Sequence, residues 1–392
     1  PMMEKENRAV ARRRGMKVIH QLPAECWVEP FTTYRDALAT ATSACGEYHF
    51  FALMNILGAI FGRRAYVSYG RRMYPNQYTV LIGPTHSLKS TANSYAVEMV
   101  DTLYDLERPV GQKLPGPKLH VEQATGSAEG LLEAAAFADA VDKDEEEAIR
   151  GMMGWKKVKK DDDHPHEMYD EIDLLEKKER RMLIRQDEIA SMLAKARQGG
   201  GGSGFLPHLM TAFDCPPEIR LRTRKNPVIL INFVPSILAD STVEYLGRYL
   251  DELEWVSGFG NRIVFVDGPP IEVMPKPPGK DEALWQDAAA QIREAYFASC
   301  GENGSAYQEY VFTAKAEESW DRLFREWMVA REHGYSPEQL AATERVADYA
   351  VKFSLIYALT RGEKDAEIGS ADVELGWKVA LYAEQVTWRL VG

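Results

Sequence analysis

The chain has 392 residues, 45% hydrophobic and 27% charged, the balance of a soluble globular protein long enough for two or three domains. Its net charge is −12, and the segment Asp281–Gly392, with 20 acidic and 11 basic residues, carries −9 of it; the rest is nearly balanced and leaves room for a local basic surface. The longest apolar run, HFFALMNILGAIF (His49 to Phe61), falls short of the roughly 20 residues that span a bilayer. Four scattered cysteines (Cys26, Cys45, Cys215, Cys300) show no paired spacing, which argues against a zinc or disulfide framework and leaves free thiols of a reducing cytoplasm as the expectation. The basic N-terminal stretch ENRAVARRRGMK has no apolar segment behind it and is not expected to be a secretory signal.

In chain order, apolar spacing predicts helix from Phe31 to Gly62, a buried strand in QYTVLIG, and a helix from Lys89 onward. KLHVEQA reads as a second strand and GSAEGLLEAAAFADAV as a helix with Ser127 available as its cap. The densely charged stretch Asp142 to Arg181 reads as an exposed insertion; within it, Lys156 to Lys160 lie beside an acidic run, and His164 and His166 read as loop. RMLIRQDE is a third strand ending in two acids, followed by a short helix and the flexible loop Gly199 to Gly204. PEIRLRTR is extended and polar, NPVILINFV suits a buried central strand, and NRIVFVDGPP gives another strand with a Gly-Pro stop. Helices are expected at Asp281–Ser299, Ala314–His333, Pro337–Thr360 and Ser370–Leu390. Strand alternating with helix implies a parallel α/β sheet covered on both faces.

The stretch TVLIGPTHSLKST supplies what a phosphate loop needs: a strand end at Gly83, turn residues Pro84, Thr85, His86, Ser87 and Leu88, then Lys89, Ser90 and Thr91 opening a helix. Backbone N–H groups and the helix N-terminus face an anion, the lysine meets the β- and γ-phosphates of ATP, and Ser90 supplies a hydroxyl for Mg²⁺. The glycine usual before the lysine is Leu88 here. In MLIRQDEI, Asp187 is the candidate metal-side acid and Glu188 the group that orients and activates water. Asn232 interrupts an apolar strand and is read either as a tie to a neighbouring loop or as a polar group near the γ-phosphate. Arg262 leads a strand after a Gly-rich turn, and arginine suits a transferring phosphate. Arg220, Arg222 and Arg224 alternate along one predicted strand and would share a face. That row suits either a nucleic-acid backbone or an exposed strand edge guarded by charge.

Taken together, GPTHSLKS, LIRQDE, Asn232 and SGFGNRIVFV resemble the loop, acidic strand, sensor-one asparagine and arginine-finger strand of AAA+ ATPases of the minichromosome-maintenance (MCM) helicase type. These also lack the glycine before the lysine. TERVADYAVKFSLIYAL with IGSADVELGWKVALYA is similar to their helical lid, which would make Arg345 the sensor-two arginine. The whole chain resembles, more closely still, the helicase-like ATPases of phages, plasmids and genomic islands that often accompany primases. The resemblance implies a P-loop AAA+ core at 76–270, with the charged insertion at about 142–181, between an N-terminal helical segment (1–75) and a C-terminal lid (271–392). It further implies Mg²⁺-dependent ATP hydrolysis coupled to DNA translocation or unwinding by a homo-oligomeric ring such as a hexamer, in replication of a mobile element or phage. A primase partner and a cytoplasmic setting follow from the same resemblance. The alternative is an ATP-switched DNA-binding scaffold without helicase activity.

Overall fold

The structure, a computed structural model, describes residues 21–104, 114, 118–123, 180–197, 205–221, 228–249, 258–270, 272–300 and 307–391. The expected helix at 126–141 and most of the charged insertion lie outside the described residues.

The first helical stretch is two helices, α1 (Phe31–Leu38) and α2 (Gly46–Phe61). α2 is buried along almost its whole length, which accounts for its uniform apolarity. A hairpin follows, β1 (Ala65–Tyr69) and β2 (Arg71–Met73), turned at Gly70, whose φ of +67° favours glycine. β3 (Tyr78–Ile82) is buried at every residue and leads through the loop to α3 (Lys89–Tyr104). β4 (His120–Gln123), β5 (Arg180–Gln186), α4 (Ile189–Arg197) and α5 (Phe205–Phe213) come next. β6 (Glu218–Leu221) and β7 (Val228–Ile231) form a separate antiparallel pair. Then follow β8 (Phe233–Ser241), α6 (Val243–Tyr249), β9 (Val264–Val266), α7 (Glu282–Cys300) and β10 (Gln308–Phe312). The chain closes with α8 (Ala314–Gly334), α9 (Pro337–Ala342), α10 (Val346–Thr360), β11 (Glu367–Ile368) and α11 (Ser370–Val391). The helix expected over Pro337–Thr360 is thus two, α9 opening on a capping box at Ser336 and Gln339.

The main sheet is five parallel strands in the order β4-β5-β8-β3-β9. The chain starts inside the sheet at β3, goes out to β4, returns strand by strand to β8, and crosses β3 to finish at β9. The connections leaving neighbours β8 and β3 therefore run in opposite directions, which makes their carboxyl ends the switch point where ligands bind in α/β sheets. α2 packs against β3, β5, β8 and β9 and against α3; α4 and α5 pack on β8.

The run NPVILINFV is not one central strand. Asn232 sits at φ +54° and breaks it, so β7 pairs with β6 while β8 starts afresh at Phe233. β8 then extends through Pro-Ser and Ala-Asp-Ser, a stretch whose polar residues hide it from an apolar-run reading. Pro235 is tolerated because β8 pairs there with β5 alone: its register with β3 begins at Ile237.

A second, four-stranded sheet, β11-β10-β1-β2, is not visible in the sequence patterning. It joins residues 65–73 to residues 308–312 and 367–368, so the expected segments 1–75 and 271–392 share one sheet. No helix among the described residues is long and apolar enough to cross a membrane, and the four cysteines are free and buried.

Candidate nucleotide site

Register brings the two sequence signals to the same edge of the sheet. Ile82, the last residue of β3, faces Ser241 of β8, and Gln186 at the end of β5 faces Ala239. The Gly83–Leu88 loop and the Asp187–Glu188 turn therefore flank the carboxyl end of β8.

The loop is held from below. Tyr48 of α2 donates its hydroxyl to the Ile82 carbonyl (2.6 Å), and the Gly83 N–H donates to the Ser241 carbonyl (3.3 Å). A Cβ at Gly83 would lie 2.3 Å from Tyr48 Oη and 2.7 Å from Ser87 Oγ, so only glycine fits. His86 and Leu88 both take left-handed backbone, φ +72° and +61°. Leu88 thus adopts the conformation for which a glycine is the unstrained choice, at a cost of about 1–2 kcal/mol. The loop keeps the glycine geometry without the glycine.

Lys89 is buried, and its ammonium donates to the Gly83 carbonyl (2.9 Å), the Pro84 carbonyl (3.0 Å) and Ser87 Oγ (3.0 Å). All three protons point into the loop. Burial lowers its pKa, an effect opposed by Asp240 and Glu188. Pro84, Thr85, His86 and Ser90 are exposed at the mouth, and Thr91 is half-buried.

On the acidic side, Asp187 is open to solvent, its side chain 78% exposed, with Arg185 3.6 Å away. Glu188 turns inward: its Oε1 accepts from the Ala190 N–H (3.1 Å), capping α4, and from Ser241 Oγ (2.5 Å). Arg185 also donates to Ser94 Oγ of α3 (2.9 Å), tying the acidic strand to the helix behind the loop.

Asp240 is the residue that the sequence patterning does not single out. It is 4% exposed, and its Oδ1 finds no hydrogen-bond partner. Burial first, then the Asp187 charge, raises its pKa to about 7, with Glu188 adding and Lys89 and Arg185 opposing. A buried carboxylate with a raised pKa among four charged neighbours marks this corner as a candidate functional site. Its signal is the polar ending Asp-Ser of the run ILADS, overshadowed in the sequence by Asn232. Asn232 precedes β8 and lies nine residues from Ser241, about 30 Å along an extended strand. It is not brought to the loop; Asp240 and Ser241 occupy that place.

Arg262 and Arg345 lie toward the amino end of the main sheet, away from the loop. Arg262 is two residues before Val264, which faces Thr79, so about 20 Å of strand separates its level from Gly83. Its Nη1 donates to the Gly258 carbonyl (2.7 Å), and its Nη2 lies 3.7 Å from Asp214. Arg345 precedes α10, 3.7 Å from the same Asp214 and 3.0 Å from Asp348. Burial and the Arg345 charge lower the Arg262 pKa. The two arginines are brought together, but not to their own chain's loop. Arg220 lies on β6, in the antiparallel pair with β7, while Arg222 and Arg224 fall outside the described residues. Among the described residues no cluster of His, Cys, Asp and Glu could hold a metal alone.

No protein-family model matches the chain, and no curated protein is similar in sequence. Among solved structures, the chain is similar to a full-length MCM homologue from Methanopyrus kandleri, with 10% identity and a TM-score of 0.43 over 95% of this chain. The chain matches 63% of that homologue's length. The fold is the α/β class expected from the sequence, a parallel five-stranded sheet wrapped by helices from both ends of the chain.

Proposed function

We propose that the chain binds ATP with Mg²⁺ at the Gly83–Thr91 loop, hydrolyses it, and uses the cycle to move along or unwind DNA as a homo-oligomeric ring. The observation that carries this reading is the Lys89 ammonium, held by three loop oxygens at the carboxyl edge of β3, with Asp240 and Glu188 near enough to act on its charge and Asp187 acting on Asp240 in turn. Phosphate oxygens would take over the acceptors that Gly83, Pro84 and Ser87 now provide, and the loop backbone would supply N–H donors to the same anion.

The donor set fits a hard divalent cation: the exposed Ser90 hydroxyl and Asp187 carboxylate would hold it, with water and phosphate oxygens completing the shell. Bound Mg²⁺ supplies charge neutralisation to the phosphates. Glu188, held by Ser241 and by the cap of α4, would orient the attacking water and accept its proton. Asp240 would hold Lys89 in line and keep that corner of the site polar.

Arg262 and Arg345, remote from their own loop, would stabilise charge on a nucleotide held by a neighbouring copy. The β6–β7 pair, leaving the amino end of β8, is the candidate DNA element, with Arg220 on β6 and Arg222 and Arg224 beyond it. Replication of a mobile element or phage, with a primase partner, is the setting proposed for it. ATP turnover by the full chain with and without Mg²⁺, followed by strand displacement on a forked duplex, tests the reading. Turnover without displacement favours a switched scaffold; no Mg²⁺-dependent turnover overturns hydrolysis.

A further inference from the structure

Arg262 and Arg345 have a third companion that neither motif nor spacing marks. Arg71 of β2, from the small sheet, places Nη2 3.1 Å from Asp214 Oδ1 and 2.8 Å from Asp348 Oδ2. Arg345 approaches both of those carboxylates, and Arg262 approaches Asp214. Three guanidinium groups from three separate elements thus share two carboxylates, and the fully buried Lys352 ammonium, bonded to the Asn76 carbonyl (2.7 Å) and Asn76 Oδ1 (2.8 Å), lies behind them. The cluster holds more positive than negative charge. Arg262 Nε is buried with no hydrogen-bond partner. Arg71 is the outermost of the three, its side chain 42% exposed against 13% for Arg262 and 18% for Arg345.

We propose that Arg71 completes, with Arg262 and Arg345, a site for the terminal phosphate of a nucleotide held in the loop of a second copy of this chain. This rests on the nucleotide-binding reading above. The chain's own loop is excluded by the strand length separating it from Arg262. An arriving phosphate offers more acceptor oxygens and more charge than Asp214 and matches the planar fork of a guanidinium, so it displaces that carboxylate. Asp214 and Asp348 hold the three forks in readiness until then. Because Arg71 comes from the small sheet, Arg262 from the turn that leads into β9 and Arg345 from the cap of α10, the site reports on the neighbour's nucleotide to all three.

The test uses Glu188→Gln chains, expected to hold ATP unhydrolysed, with and without Arg71→Ala or Arg71→Lys. ATP affinity at low protein concentration and ATP-driven self-association by sedimentation are measured for each, with urea denaturation to compare their folding. The proposal expects unchanged ATP affinity, self-association weakened about tenfold by Arg71→Ala, and partial recovery with Arg71→Lys. Loss of ATP binding in Glu188→Gln itself would refute the nucleotide site and this inference together. Intact ATP binding, with association absent or equal with and without Arg71, overturns the inference alone. Equal weakening in Arg71→Ala and Arg71→Lys, matched by lower stability, shows a structural ion pair and also overturns it.

Discussion

Leu88 holds left-handed backbone, φ +61°, directly before Lys89, whose ammonium closes back on the carbonyls of Gly83 and Pro84. The position asks for glycine and contains leucine. Replacing Leu88 by Gly or by Ala removes the same side-chain packing, but only glycine relieves the strain. Leu88→Gly should therefore be more stable than Leu88→Ala by about 1 kcal/mol in urea denaturation. Equal stability, or a more stable alanine variant, would mean that the loop relaxes out of this conformation.

Asp240 gives the loop a pH signature. Its folded pKa, about 7, lies above the unfolded value of 3.8, so the folded state is relatively favoured at low pH, and that contribution is lost as pH rises from about 4 through 7. Asp240→Asn removes the penalty of burying the charge. The variant should gain on the wild type with rising pH, by about 1–4 kcal/mol at pH 8 and almost nothing at pH 4. Paired urea titrations across that range check it, and a pH-independent difference would contradict the assignment.

Gly83 and Tyr48 should be energetically coupled. Gly83→Ala puts a methyl group against the Tyr48 hydroxyl and should cost about 1–3 kcal/mol along with ATP affinity. Tyr48→Phe, costly alone because the Ile82 carbonyl is left without its donor, should recover about 1 kcal/mol in the Gly83→Ala background. Strict additivity in the double-mutant cycle would show that the loop avoids the tyrosine by another route.

The basic row tests the DNA element. Arg220, Arg222 and Arg224 changed together to alanine should weaken duplex binding and reduce its salt slope, by about 0.9 for each phosphate left unneutralised, while basal ATP turnover stays near wild type. An unaltered slope returns the row to a charged strand edge.

The two halves of the site differ in how plainly the sequence announces them. β3 and β5 are apolar runs that stop at Gly83 and at Asp187–Glu188, and local chemistry marks both ends. β8 carries no such mark: Pro235, Ser236 and Asp240 break its apolarity, and Asn232 draws attention to the wrong end. Its strand character comes from pairing on both sides with β5 and β3, which is nonlocal. The small sheet is illegible for the same reason, since the three residues of β2 and two of β11 are strands only because β1 and β10 lie beside them. Arg71 is hidden with it. The missing glycine is plain in the sequence, but the persistence of its backbone conformation at Leu88 is not.

The most direct test of the nucleotide site separates binding from turnover in Lys89→Ala and Glu188→Gln. Lysine meets the ground-state phosphates, whereas the glutamate acts on the attacking water. Calorimetry with ATP and Mg²⁺ should show binding abolished in Lys89→Ala and kept in Glu188→Gln. Turnover should fall at least a hundredfold in both, on the order expected for removing a catalytic base. Undiminished ATP binding by Lys89→Ala, or wild-type turnover by Glu188→Gln, would contradict the account.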